Sequence, residues 1–325
     1  MLVKDIYTVV EKDFDQVNQL IIDQLRSDVP MVEKIGQHII ESGGKRMRPL
    51  LVLLASKALN NTSSEPSQHP LLAGIIEFLH TATLLHDDVV DTSDMRGGKA
   101  TANAKFGNAP SVLVGDFLYS RAFQMMVNLG SMRVMDILSS ATCVIAEGEV
   151  MQLMNVKNPD LTEDKYMDVI QGKTAMLFEA SSHSGAVLAG ATAEQEQALK
   201  LYGHHLGMAF QLVDDVLDYV GNAEELGKNV GDDLAEGKTT LPLIFTMKNG
   251  TEEQATLIRQ AIRKGGTDNL AEIVSIVQEC GAIDYTNQKA QEHVAQANQA
   301  IACLADSPAK EALNALAELA ISRSH

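Results

Sequence analysis

The sequence predicts an all-α protein. Proline is scarce, eight in 325 residues, with none between Pro159 and Pro242. Aromatic residues make up only 4% and tryptophan is absent; Ala, Leu, Met, Glu, Gln and Lys, which are strong helix formers, dominate instead. Apolar residues recur at helical spacing, and neither a long alternating strand pattern nor an Asn-Gly hairpin signal appears.

Taken in order, Ile6 to Leu25 repeats apolar residues as one amphipathic helix does. Gly43-Gly44-Lys45-Arg46-Met47-Arg48-Pro49 leads into the apolar run Leu50 to Leu54, and Pro49 suits the first position of a helix. Asn60 to Pro70 reads as a loop. From about Leu71 to Asp91 the apolar residues cover most of a helix circumference, as they do on a helix buried by its neighbours. Thr92 to Asn108 and Asn155 to Leu161 read as loops, and Lys173-Thr174 falls in a helix between them and a second central candidate, Leu199 to Val220. Gly221 to Lys238 is a loop punctuated by Gly221, Gly227, Gly231 and Gly237. No composition break marks a linker, so residues 1–325 are expected to form one domain.

Charge and composition narrow the function. Lys plus Arg number 26 against 43 Asp plus Glu, a net charge of −17. That excludes nucleic acid as the main partner, because phosphate-backbone binding needs basic surface. Hydrophobic residues at 45% suffice for a large core. No apolar stretch is long enough to span a bilayer, and Met1 to Asp5 meets charge at once, unlike a signal peptide. Cys143, Cys280 and Cys303 form neither a disulfide framework nor a zinc motif. The expectation is a soluble cytoplasmic protein.

The chemistry lies in two aspartate triplets. The central helix ends in Asp87-Asp88-Val89-Val90-Asp91, and the later one in Asp214-Asp215-Val216-Leu217-Asp218. The outer aspartates of each triplet are four residues apart, so they share a helical face with Cβ atoms about 6 Å apart. They repel each other, and the negative end of the helix dipole adds to the cost. A cation offsets both. Oxygen-only ligands favour Mg²⁺, which is held by one or two carboxylates together with substrate phosphates. Two facing rows of this kind would hold metal ions between them, and the ions a diphosphate. Aspartates on solvated helix ends are the plain alternative, but two such triplets, each after an apolar run, are a rare coincidence.

The basic residues point the same way. Lys45, Arg46 and Arg48 precede a helix whose dipole disfavours cations there, which suggests a bound anion. Arg96 and Lys99 follow the first triplet within a few residues. Lys228 and Lys238 flank Asp232-Asp233 in the Gly-rich loop, which has the makings of a lid over a phosphate–metal cluster. His80 stands within reach of the first triplet, whereas His86, His204 and His205 read as structural.

Together these motifs resemble the trans-type isoprenyl diphosphate synthases. The likeness runs from Gly43 to Pro242 and includes Gly115-Asp116, Lys173-Thr174, Phe210-Gln211 before the second triplet, and Gly227-Lys228-Asn229. The stretches Gly115 to Met126 and Glu147 to Val156 are similar to the long-chain bacterial members that make quinone side chains.

The resemblance implies a helical bundle around a deep central cavity, usually homodimeric, that elongates an allylic diphosphate with isopentenyl diphosphate. It implies that Asp87, Asp91 and Asp214 bind Mg²⁺, with Asp88, Asp215 and Asp218 in support. It also implies that Arg96, Lys173, Thr174, Gln211, Lys228 and Lys238 serve the allylic diphosphate and its metals, and that Lys45, Arg48 and His80 hold isopentenyl diphosphate. Ala82, five residues before Asp87, stands where a bulky aromatic stops chain growth in short-chain members; its small size implies a long product, about eight isoprene units. Such a product needs a membrane, so transient membrane contact is expected at release.

One position departs from the family. Its usual Arg-Arg-Gly reads Arg96-Gly97-Gly98 here, one cation fewer for isopentenyl diphosphate. Gly97→Arg is therefore expected to lower the KM for that substrate. Two other readings share these features: a weakly active or non-catalytic subunit of a heteromeric synthase, and a terpene cyclase, whose second motif ordinarily differs from Asp214 to Asp218.

Overall fold

The computed structural model describes residues 1–42, 44–59 and 67–323, without the side chains of Ala223 and Glu225. Gly43 of the basic motif and Asn60 to Pro66 of the first loop lie outside the described residues.

The chain opens with α1 (Val3–Thr8), α2 (Glu11–Gln24), α3 (Pro30–Ser42), α4 (Met47–Ala58) and α5 (His69–Val90). A hairpin of β1 (Met95–Arg96) and β2 (Lys99–Ala100) precedes α6 (Ala102–Phe106), α7 (Asn108–Leu129), α8 (Met132–Met154) and α9 (Glu163–Ile170). A π-helical turn, Gln171–Ala175, leads into α10 (Met176–Leu188) and α11 (Ala193–Val220). The short α12 (Ala223–Leu226) and α13 (Asp232–Ala235) come next, then α14 (Leu241–Asn249) and α15 (Glu252–Lys264). α16 (Leu270–Glu279), α17 (Ala282–Ala300) and α18 (Pro308–Ser322) complete the chain. The all-α expectation holds, with one two-stranded hairpin among the described residues.

Four local expectations change. The segment from Ile6 to Leu25 is two helices, broken at Val9-Val10. Adjacent β-branched residues are poor helix formers, and the break lets Val10 bury while Tyr7 packs edge-on against Phe14 (ring centroids 5.2 Å). Helix α4 begins at Met47, so Pro49 is its third residue, where a missing N–H still costs no helical bond. Thr92 to Asn108 holds the hairpin and α6, and Gly221 to Lys238 holds α12 and α13.

The chain divides into two compact units. Unit 1 comprises Met1–Ser140, Leu177–Gly203 and Ala300–Leu316; unit 2 comprises Ala141–Met176, His204–Gln299 and Ala317–His325. Each boundary falls inside a helix, which is why no linker composition marks it.

In unit 1, α5 is packed by α2, α4 and α7. Leu72, Ile75, Ile76, Phe78, Leu79, Ala82 and Leu85 are all buried, as a helix that is apolar all round requires. In unit 2, Tyr219, Leu243, Ile258, Ile262, Ile273 and Val277 form a buried cluster that seats the C-terminal end of α11.

Unit 2 also gathers three histidines. His205 Nδ1 and His293 Nδ1 lie 2.9 Å apart, one donating and the other accepting, and His204 packs edge-on against His205 (ring centroids 4.9 Å). Desolvation, then His204 and His293, lowers the pKa of His205 to about 4. Desolvation, His204 and Lys289 lower that of His293 to about 4 against the opposing charge of Glu292. Both are therefore neutral in the fold, and the unfolded chain binds more protons between its ordinary histidine pKa, about 6.5, and these values. Stability is expected to fall as pH drops through that window. Urea midpoints at pH 7 and pH 5 check this: His205→Gln/His293→Gln shows a smaller drop than the parent chain.

Candidate active site

The C-terminal end of α5 sorts its aspartates. Asp88 is buried and Arg96 clasps it with two bonds, Nε to Oδ2 at 2.9 Å and NH2 to Oδ1 at 2.7 Å. Asp87 and Asp91 are half-buried, one helical turn apart. Asp88 is thus bound in a two-point ion pair with Arg96. The chain beyond is pinned down: Ser93 N–H donates to Asp88 O (3.0 Å), and Asn103 Nδ2 and Thr101 Oγ1 donate to Ser93 O (3.0 and 2.8 Å). His86 is structural, with Nε2 3.0 Å from Val112 O and 3.3 Å from Asp116 Oδ1.

The basic residues of unit 1 differ in exposure. Lys45 is exposed, and its carbonyl accepts from Tyr7 OH. Arg46 adopts a left-handed backbone (φ 51°) and donates to Asn18 Oδ1. The Arg48 guanidinium lies over the Phe178 ring, 4.3 Å from its centroid, and NH1 donates to His80 Nε2 at 3.3 Å. Desolvation lowers the Arg48 pKa to about 10 against the opposing pull of Glu77. Desolvation, then Arg48 and Arg96, keeps the pKa of His80 well below its ordinary value, so its ring is a neutral hydrogen-bonding group. Glu77 is a buried carboxyl in the middle of α5 that sequence reasoning missed. Its signal was a lone acid inside an apolar run.

Ala82 is wholly buried. In that turn of α5 it is the half-buried Thr83 and Leu84 that solvent reaches, because α2, α4 and α7 cover the rest of the helix. Ala82 is thus packed within unit 1.

In unit 2, Asp214 is half-buried while Asp215 and Asp218 are buried. Asp215 accepts from Tyr166 OH and from Gln211 Nε2 (2.9 Å). Gln211 Oε1 in turn accepts from Thr174 Oγ1 (2.9 Å), so Tyr166, Asp215, Gln211 and Thr174 form one chain of hydrogen bonds. Desolvation, reinforced by Asp233 and Asp214, raises Asp215 to about 8; desolvation and Asp233 raise Asp218 to about 8. Lys228 Nζ sits 3.5 Å from Asp218 Oδ1 and 3.6 Å from Asp233 Oδ1. Lys173 pairs with Glu149 (3.3 Å) and donates to Gln152, and Lys238 pairs with Glu236 (3.0 Å).

Lys173 and Thr174 lie in the π-turn, not in an ordinary helix. Such turns are rare and cluster at functional sites. A close backbone approach accompanies this one: a Cβ on Gly148 would lie 2.7 Å from Lys173 N and 2.9 Å from Gly172 C. The sequence also missed Tyr166, and Arg323 just after α18, whose guanidinium stacks on Phe210 (3.9 Å) and donates to its carbonyl (2.8 Å).

The donor set fits a hard divalent cation. It consists of carboxylate oxygens, two of them raised to about 8 by burial and neighbouring acids, and Asp218 Oδ1 is buried without a hydrogen bond. A cation there would favour the charged forms. No three His, Cys, Asp or Glu side chains converge on one point among the described residues.

Residues 29–280 match the family model for polyprenyl synthetase. The chain belongs to that family. The match runs through both units. Octaprenyl diphosphate synthase of Escherichia coli is 52% identical over 99% of each chain. All-trans-nonaprenyl-diphosphate synthase of Rhodobacter capsulatus is 48% identical over 98% of each. Among solved structures, polyprenyl synthase from Caulobacter crescentus, complexed with calcium and isoprenyl diphosphate, superposes with a TM-score of 0.96 at 43% identity, covering 100% of this chain and 98% of the other.

The departure at Gly97 now has a geometry. Gly97 and Gly98 both have positive φ (56° and 76°), as a two-residue hairpin turn demands. A Cβ on Gly97 would lie 2.7 Å from the backbone oxygen of Ser42, so an arginine meets strain and a carbonyl before any diphosphate. Gly97→Arg is thus not the simple gain of affinity that its family position suggests. Gly97→Ala and Gly97→Arg are both expected to lower stability by about 1 kcal/mol or more, read as a fall in Tm.

Proposed function

We propose that this chain is a long-chain trans-polyprenyl diphosphate synthase. It adds isopentenyl diphosphate repeatedly to an allylic diphosphate, farnesyl diphosphate by preference, and ends near the octaprenyl length. The observation that carries the reading is the pair of aspartate triplets, each with at least one half-buried outer carboxylate and a cation in attendance, in a chain that matches an octaprenyl diphosphate synthase from end to end.

Asp87, Asp91 and Asp214 would hold Mg²⁺, with Asp88, Asp215 and Asp218 behind them. Bound metal supplies neutralisation of the charge that grows on the leaving diphosphate. Lys173, Thr174, Gln211, Lys228 and Lys238 bind diphosphate oxygens and hold them more strongly as that charge develops. Lys45 and Arg48 take the isopentenyl diphosphate, and neutral His80 adds a hydrogen bond rather than a charge. Phe178 keeps the Arg48 guanidinium flat and fixed, which orients its substrate for attack. The allylic C–O bond breaks, the isopentenyl double bond bonds to the allylic carbon, and the departing diphosphate takes the proton that is lost. The Gly-rich segment from Gly221 to Lys238 excludes water from the reacting carbons.

No helix among the described residues is long and apolar enough to cross a membrane. We place the enzyme in the cytoplasm, with transient membrane contact when product leaves. A homodimer is supported by Leu113, Phe123 and Val127, which are exposed on one side of α7.

The test is incubation with farnesyl diphosphate, labelled isopentenyl diphosphate and Mg²⁺, with products resolved by chain length. A ladder ending near the octaprenyl product, abolished by EDTA and reduced about a hundredfold or more by Asp214→Asn, is expected. A ladder that stops at short products overturns the chain length. No elongation by folded protein overturns the synthase reading in favour of a partner subunit.

A further inference from the structure

Asp233 has no role in the reading above, yet the functional residues of unit 2 are arranged around it. It is the second residue of α13, and its side chain is buried. Its backbone N–H donates to Asp218 Oδ2 (3.3 Å), and its carbonyl accepts from the N–H of Lys238 (2.8 Å). Gly231 N–H donates to Asp218 O (2.9 Å), which docks the same segment on α11 a second time. Burial opposes the charge of Asp233, but Lys228, then Lys238 and Lys173, outweigh it and hold its carboxyl below the ordinary range. These are the three lysines assigned above to the allylic diphosphate.

The Lys228 ammonium is shared almost evenly, 3.5 Å from Asp218 and 3.6 Å from Asp233. Neither distance is that of a closed, hydrogen-bonded ion pair, which lies nearer 2.8 Å. An ammonium between two buried carboxylates is drawn both ways, and its place depends on both being present. With one neutralised, it moves onto the other. If Asp233 is lost, Lys228 closes on Asp218, a carboxylate of the metal-binding motif, and the metal has to displace it.

We propose that Asp233 is a positioning residue. It holds Lys228 away from Asp218, so that Asp218 stays available to the metal and the ammonium stays available to the diphosphate. The proposal rests on the metal–diphosphate part of the reading above, but not on chain elongation itself.

Mn²⁺ binding in the presence of inorganic pyrophosphate, followed by electron paramagnetic resonance, tests it on the full-length chain. Asp233→Asn is expected to weaken Mn²⁺ binding about tenfold, the size of one charge-assisted contact, and to raise the Mg²⁺ concentration for half-maximal rate to match. Asp233→Glu restores most of the loss. In a Lys228→Met background Asp233→Asn has little further effect, because no ammonium remains to close on Asp218. Binding within twofold of the parent chain, or an equal loss with and without Lys228, overturns the proposal. If Asp233→Asn does not fold, Asp233→Ser and its cycle with Lys228→Met decide the matter in the same way: coupling supports the role and independent effects overturn it. A chain that makes no product but shows the coupling loses the synthase reading and keeps this one.

Discussion

A carboxylate taken out of water needs a positive partner, and the local structure of both aspartate triplets follows from that need. Leaving a buried charge unpaired costs several kcal/mol, more than most single contacts return. Asp88 meets the need with a two-bond clasp from Arg96. Asp218 meets it with a shared ammonium. Asp215 has no cation so near, takes hydrogen bonds from Tyr166 and Gln211, and rises to about 8. The three residues carry the same side chain on similar helices. They differ in what faces them, and that difference sets how each buried carboxyl is compensated.

The cationic residues of unit 1 follow a related logic. Arg48 is committed to an aromatic face and a neutral histidine, which fixes its direction without cancelling its charge. Glu77 tempers it from within α5. Lys45 is left to solvent on a backbone stretch tied to α1 and, through its neighbour Arg46, to α2. An anion-binding group is useful when it is held in place but not satisfied.

Much of this was legible in the chain. The central helix could be read because Leu72 to Leu85 is apolar on every face, and the triplets because Asp at positions one and five must share a face. What was not legible depends on through-space neighbours. Nothing around Tyr166 announces Asp215 as its partner, 49 residues away. The break at Val9-Val10 was hidden by an apolar spacing that continues across it. Ala82 was read as leaving the cavity open because it is small; its own burial depends on the three helices packed on α5, which the residues around it do not announce. Gly97 looked like a missing cation, and its φ and the nearness of Ser42 recast it as a turn requirement.

The π-turn at Gln171–Ala175 has a consequence for how this gene can vary. A wide turn is a single extra residue absorbed into a helix. Deleting one residue of the turn would restore regular winding and remove the wide turn that carries Lys173 and Thr174, whereas a one-residue change elsewhere in the continuous helix would swing everything beyond it about 100° around the axis. The reading frame of the helix, and not only the identity of Lys173 and Thr174, is therefore under constraint. Length changes that surface helices absorb at their ends have no such outlet here, and this stretch should tolerate substitutions far better than insertions or deletions.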